Sequence, residues 1–117
     1  MLHAKKARKF GRTKSIRNAL LKGLAVSLIK NGKIQTTEAK AKELRMFIEP
    51  LVTKAKVGGI AERRLISSRL DNNLTEVKKL VDVIAPKYKE VKGGCTRIIK
   101  LPARVSDSAK LAVIEFI

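Results

Sequence analysis

A chain of 117 residues can bury one ordinary core and is too short to suggest two. Its 27 lysines and arginines against 10 acidic residues leave a formal charge of +17, more than solubility asks of a small domain, so a polyanionic partner is implied. Apolar residues at 44% exclude disorder over the whole length, while one cysteine, Cys95, and one histidine, His3, exclude a disulfide framework or a conventional zinc site built within the chain.

The positive charge is concentrated at the start. Residues 1 to 37 hold ten Lys/Arg and no acid, whereas the rest of the chain holds seventeen against ten. Residues 1–14 contain only Leu2 and Phe10 as sizeable apolar groups, so they read as a basic extension that a polyanion would order, ahead of one globular domain over 15–117. The plain alternative is a solvated tail with no specific role. A basic start followed by ALLKGLAVSLI is similar to a secretory signal, but Lys22 interrupts the run and no small-residue cleavage pattern follows. An acid-free opening is also compatible with an organellar transit peptide. No apolar stretch approaches the roughly eighteen residues that span a bilayer, and no membrane insertion is expected.

The first predicted helix runs from about Thr13 to Lys30. Ile16, Leu20, Leu24 and Leu28 form a core-facing stripe with Ala19, Gly23 and Ser27 beside it, Thr13 or Ser15 caps the start, and Asn31-Gly32 closes the end. Lys14 and Arg17 in its first turn oppose the helix dipole, so this terminus gains most from a bound phosphate. A short β-compatible piece, Lys33 to Thr36, precedes a second helix capped by Thr36 or Thr37 and running to about Lys56. Leu44, Phe47, Ile48, Leu51, Val52 and Ala55 supply its apolar face, and Leu51 and Phe47 are expected to meet Leu20 and Leu24 of the first helix. The charges of this second helix compensate one another, as in Glu38 with Lys42, which makes it scaffold. Pro50 is expected to kink it and Gly58-Gly59 to end it.

A third helix over 60–70 turns Ala61, Leu65, Ile66 and Leu70 inward and leaves Arg63, Arg64 and Arg69 outward as a second basic patch. After a turn at Asn72-Asn73, the pairing of Asn73 with Glu76 predicts a capping box for a fourth helix. Val77, Leu80, Val81 and Ile84 form its buried face, and Pro86, by biasing Ala85 away from helical geometry, stops it. Beyond Gly93-Gly94, Thr96 to Leu101 and Leu111 to Ile117 read as strands joined by a turn-rich connector, with Ala112, Ile114 and Phe116 on one face and Glu115 on the other. If the strand near Lys33 pairs with this hairpin, the result is an α+β fold. It has two layers in the order α-β-α-α-α-β-β, with helices covering one face of a small sheet.

No catalytic constellation emerges. His3, Cys95 and scattered carboxylates form no acid/base or nucleophile–base pair at a recognisable spacing, and neither glycine pair sits in a phosphate-cradling motif. No cofactor, metal or small-molecule substrate is implied, and Cys95 reads as a small buried side chain. Nucleic acid remains as the partner. With no Trp, one Tyr and three Phe, the chain lacks a platform for stacking successive bases, so contacts should go to phosphate and shape. Arginine forks at Arg8, Arg12, Arg17, Arg63, Arg64 and Arg97 are the more specific candidates, with Lys5, Lys6, Lys9, Lys14 and Lys22 adding affinity.

The segments MLH, GRTKSIRNALLKGLAVSLI, KIQTTEAKAKELRMFIEPLVTKAK, IAPKYKEVKGG and TRIIKL, in this order, resemble the bacterial large-subunit ribosomal protein L17 family over essentially the whole chain. The most specific are the TT-x-AKAKELR stretch leading to EPL and the GG-x-TRI stretch. The resemblance implies a non-enzymatic ribosomal constituent that binds large-subunit (23S) ribosomal RNA near the peptide exit tunnel, beside other ribosomal proteins, in the cytoplasm or in an organellar ribosome. It maps the family's basic extension onto His3 through Lys14 and its RTSSHR-like element onto Arg12, Thr13, Ser15 and Arg17. The paired arginines fall on Arg63 and Arg64, and the TR of GG-x-TRI on Thr96 and Arg97. Ile16 stands where the family usually has histidine, Cys95 where it usually has tyrosine, and Leu2 and Ala4 where basic residues are common. The competing reading is a free-standing basic architectural or chaperone protein, disfavoured by the absence of lysine-rich repeats and wedge-and-arm devices.

Overall fold

A computed structural model describes residues 14–91 and 94–117. Helix α1 (Lys14–Asn31) ends at Gly32, whose φ of 81° is the left-handed conformation expected of the Asn31-Gly32 pair. Strand β1 (Lys33–Thr37) leads into α2 (Glu38–Val57). Of the two threonines able to cap that helix, Thr37 does so, its hydroxyl accepting from the Lys40 amide at 3.4 Å. The helix continues through Pro50 to a left-handed Gly58; having no N–H, Pro50 removes the bond the Met46 carbonyl would accept. Helix α3 (Ile60–Arg69) follows, then a turn in which Asp71 and Asn72 both take positive φ.

The fourth helix departs from expectation at both ends. Asn73 stands at its N-cap but makes no capping bond; its side-chain amide donates instead to the Leu70 carbonyl at 2.6 Å, tying back the preceding turn. The helix α4 starts as Leu74–Lys79, widens into a π-helical stretch Leu80–Ile84, and finishes as Ala85–Lys87. Ala85 is helical, so Pro86 does not stop the chain where its usual effect on the preceding residue would. In the widened turn the Ala85 amide reaches back to Leu80, five residues away, and the chain leaves helical geometry only at Tyr88.

Strands β2 (Thr96–Leu101) and β3 (Leu111–Phe116) complete a three-stranded antiparallel sheet in the order β1-β3-β2. Ile114 stands opposite Ile34 on one side and Ile98 on the other, and Ala112 opposite Thr36 and Lys100. Ala112 and Ile114 are fully buried beneath α2, with Phe116 packed at the margin, so β3 presents the predicted face to the helical layer. The fold is α+β, in the expected order once the π-containing helix is counted as one.

The core joins Leu44, Ile48, Leu51 and Val52 of α2 to Ile66 and Leu70 around α3, to Leu80 and Ile84 of α4, and to the sheet. Helix α1 contributes Ala25, Leu28 and Ile29, not the stripe read from the sequence: Ile16 is exposed, Leu20 and Leu24 are half-buried, and Ala19 and Gly23 face solvent. Residues four apart advance roughly 40° around a helix, so Ile16 and Leu28 differ by roughly 120° and one flat neighbour cannot cover both. The body covers the C-terminal end fully, and Arg17, Leu20, Leu21 and Leu24 are only half-buried. Of the expected contact between the first two helices, Leu51 is buried and Leu24 and Phe47 pack on the core margin, while Leu20 lies outside the core cluster. Ala61 of α3 is likewise exposed, because Ile66 and Leu70 alone reach the core from that segment.

Candidate nucleic-acid interface

Candidate contacts at His3, Lys5, Lys6, Arg8, Lys9, Arg12 and Thr13 lie outside the described residues, as does most of the 1–14 extension. Lys14 and Ser15 occupy the exposed first turn of α1, and Ser15, being within the helix, is not its cap. Arg17 is half-buried, and its Nε is shut from solvent with no hydrogen-bond partner among the described residues. Such a donor is costly to leave unmet and is satisfied if an acceptor arrives. Lys22 is committed elsewhere: its Nζ lies 2.9 Å from Asp71 Oδ1, linking α1 to the turn between α3 and α4.

In the second basic patch the two arginines differ. Arg63 holds Asp82 at 2.7 Å, whereas Arg64 is exposed and makes no ion pair with a described residue. On the sheet, Arg97 is exposed, but its Nε lies 2.6 Å from Glu115 Oε1 on the neighbouring strand. Thr96 is 4% exposed and not available as a surface contact. Its hydroxyl donates to Glu49 Oε2 at 2.9 Å and accepts from Arg45 Nε at 3.4 Å, and Arg45 Nη2 donates to its carbonyl at 3.3 Å. Arg45 and Glu49 share one face of α2 by their four-residue spacing, which the sequence displays; their meeting with a threonine fifty residues on is tertiary.

One positive cluster had no advance signal, since it joins three separate segments. At the start of α2, Glu38 receives Lys42 at 3.0 Å and Lys100 at 3.7 Å, and Lys110 lines the same hollow of about 270 Å³. The hydrogen bond from Lys42 holds the Glu38 carboxyl below its ordinary value, against the opposing effect of desolvation, and the charges of Lys42, Lys100 and Lys110 add to it. Cys95 is buried, and its thiol is held above the ordinary value by that burial and secondarily by the Glu49 carboxylate. No group of three or more His, Cys, Asp or Glu side chains among the described residues is arranged to hold a metal, and no described helix is long and apolar enough to cross a membrane.

The described surface therefore carries cations, some neutralised by carboxylates and some open, without convergent acid/base chemistry. A family profile described as Ribosomal protein L17 matches residues 20–117. The chain is 50% identical over its full length to the large ribosomal subunit protein bL17 of Sphingopyxis alaskensis, covering 84% of that protein. It is 51% identical to the Zymomonas mobilis protein of the same name, covering 83% of it, and 50% identical to that of Campylobacter jejuni, covering 99%. With a family profile over most of its length and half its residues shared with these relatives, the chain belongs to the ribosomal protein L17 family, whose members are structural and non-enzymatic.

Proposed function

We propose that this chain is a structural constituent of the large ribosomal subunit in the cytoplasm, where it binds and stabilises large-subunit ribosomal RNA beside neighbouring ribosomal proteins. Its basic N-terminal extension and the open cations of the folded body carry the contact. The observation behind this reading is the run of ten Lys/Arg before the first acid at Glu38, in a chain whose relatives are named as large-subunit proteins. Such a segment repels itself in isolation, and phosphates relieve that repulsion while releasing condensed counterions. Within the body, half-buried Arg17 offers a planar donor fork whose Nε meets no hydrogen-bond partner among the described residues. Sedimentation of lysate through a sucrose gradient tests the reading. The chain is expected to co-migrate with intact large subunits and to stay with them through a moderate salt wash; recovery at the top of the gradient or on DNA would refute it.

A further inference from the structure

The turn between α3 and α4 folds these helices into a groove of about 410 Å³ whose lining departs from the rest of the basic surface. Val77, 5% exposed, forms part of its floor, while Ile60 and Leu74 stand at its walls 72% and 70% exposed. Large aliphatic groups scattered singly need no explanation, but two that flank one concavity over a buried third form a patch. The core does not use them. At the rim, Arg63 is neutralised by Asp82, whereas Arg64 and Lys78 make no ion pair with a described residue. Two cations thus stand over an aliphatic floor.

We infer that this groove is a protein-docking site that takes an acidic amphipathic helix, with aliphatic side chains seated between Ile60, Leu74 and Val77 and carboxylates paired with Arg64 and Lys78. The inference deepens the ribosomal reading by giving one neighbouring protein a place on this chain, and it rests on that reading. Aliphatic walls without an aromatic ring offer a nucleotide base no stacking surface, and a phosphate gains nothing from them. A carboxylate-bearing helix satisfies both halves of the lining. Its apolar stripe removes Ile60 and Leu74 from water, and its acids meet cations that have no ion-pair partner among the described residues. The groove runs between two helices with no strand edge in its lining, which suits a helix rather than an added strand.

A labelled peptide of about eighteen residues, with leucines at i, i+3, i+4 and i+7 and glutamates flanking them, provides the probe. Its partner peptide keeps every glutamate and replaces each leucine by serine. Titrated against the full chain at one salt concentration, the leucine peptide should bind at least about tenfold more tightly, and amide shifts should centre on Ile60, Leu74 and Val77. Because Ile60 and Leu74 are already exposed, Ile60→Ser with Leu74→Ser should leave the thermal midpoint in place and reduce the leucine peptide to the affinity of the serine peptide. Arg64→Glu with Lys78→Glu should weaken it about tenfold or more. Equal binding of the two peptides would overturn the proposal, since charge alone would then account for capture. So would unchanged affinity in the serine variant, or a ribosomal RNA fragment that protects these amides and is lost with the same substitutions. Sedimentation of the serine variant with large subunits separates this outcome from failure of the ribosomal reading itself.

Discussion

Thr96 combines near-complete burial with three polar contacts, to Glu49, to Arg45 Nε and, through its carbonyl, to Arg45 Nη2. A β-branched residue at the start of β2 suits the strand, but its hydroxyl has no water to fall back on once the sheet closes on α2. Replacing it by valine keeps the shape and deletes the bond to the Glu49 carboxylate. The expected cost is about 1–2 kcal/mol, since hydrogen bonds to charged groups lie at the stronger end of the range while Arg45 and Glu49 are only half-buried. Thermal unfolding of Thr96→Val should therefore fall by roughly 3–8 °C. Affinity for ribosomal RNA should stay unchanged; a loss of affinity at unaltered stability would return Thr96 to the interface.

Among the elements, α2 carries most of the architecture, and its first turn is electrostatically prepared. Thr37 satisfies the Lys40 amide, the Glu38 backbone amide donates to the Lys110 carbonyl at 2.9 Å, and the Glu38 carboxylate lies at the positive end of the helix dipole among three lysines. A carboxyl held below its ordinary 4.5 in the fold stabilises the protein above that pH, and the contribution disappears as pH falls through the lower folded value. Paired melts of wild type and Glu38→Gln should show the wild type the more stable at pH 6, with the gap closing towards pH 3. A gap that persists or widens in acid would show that the charge of Glu38 does not matter. The π-helical stretch of α4 illustrates a different balance: Leu80, Val81 and Ile84 all remain buried there, so packing holds a backbone that proline's local preference disfavours.

At the scale of the whole molecule, charge and core are divided between different parts of the chain. Among the described residues the buried ones lie between Ala25 and Ile114, while the sequence of residues 2 to 12 carries five Lys/Arg and few apolar groups. Deleting residues 2 to 12 should leave the thermal midpoint of the body nearly unchanged and weaken binding to ribosomal RNA. The slope of log affinity against log salt should flatten by roughly 2 to 4.5, from about three to five lost contacts at about 0.7 to 0.9 each. Equal affinity and slope for the full and truncated chains would make the extension a solvated appendage.

Composition and periodicity determined the helices and strands, the buried face of α2 and the alternation of β3, and they set the expectation of one domain with a polyanionic partner. These follow from local spacing, turn residues and net charge, which need no knowledge of neighbours. The tertiary structure decided which end of α1 is covered, because a stripe that winds around a helix meets its partner over only part of its length. It also decided which cations remain open. Lys22, Arg63 and Arg97 are indistinguishable in sequence from Arg64, yet Asp71, Asp82 and Glu115 reach them across 49, 19 and 18 residues. An ion pair of that separation exists only once packing has brought its ends together, and the same packing buried Thr96 and left Ile60 and Leu74 beside a groove.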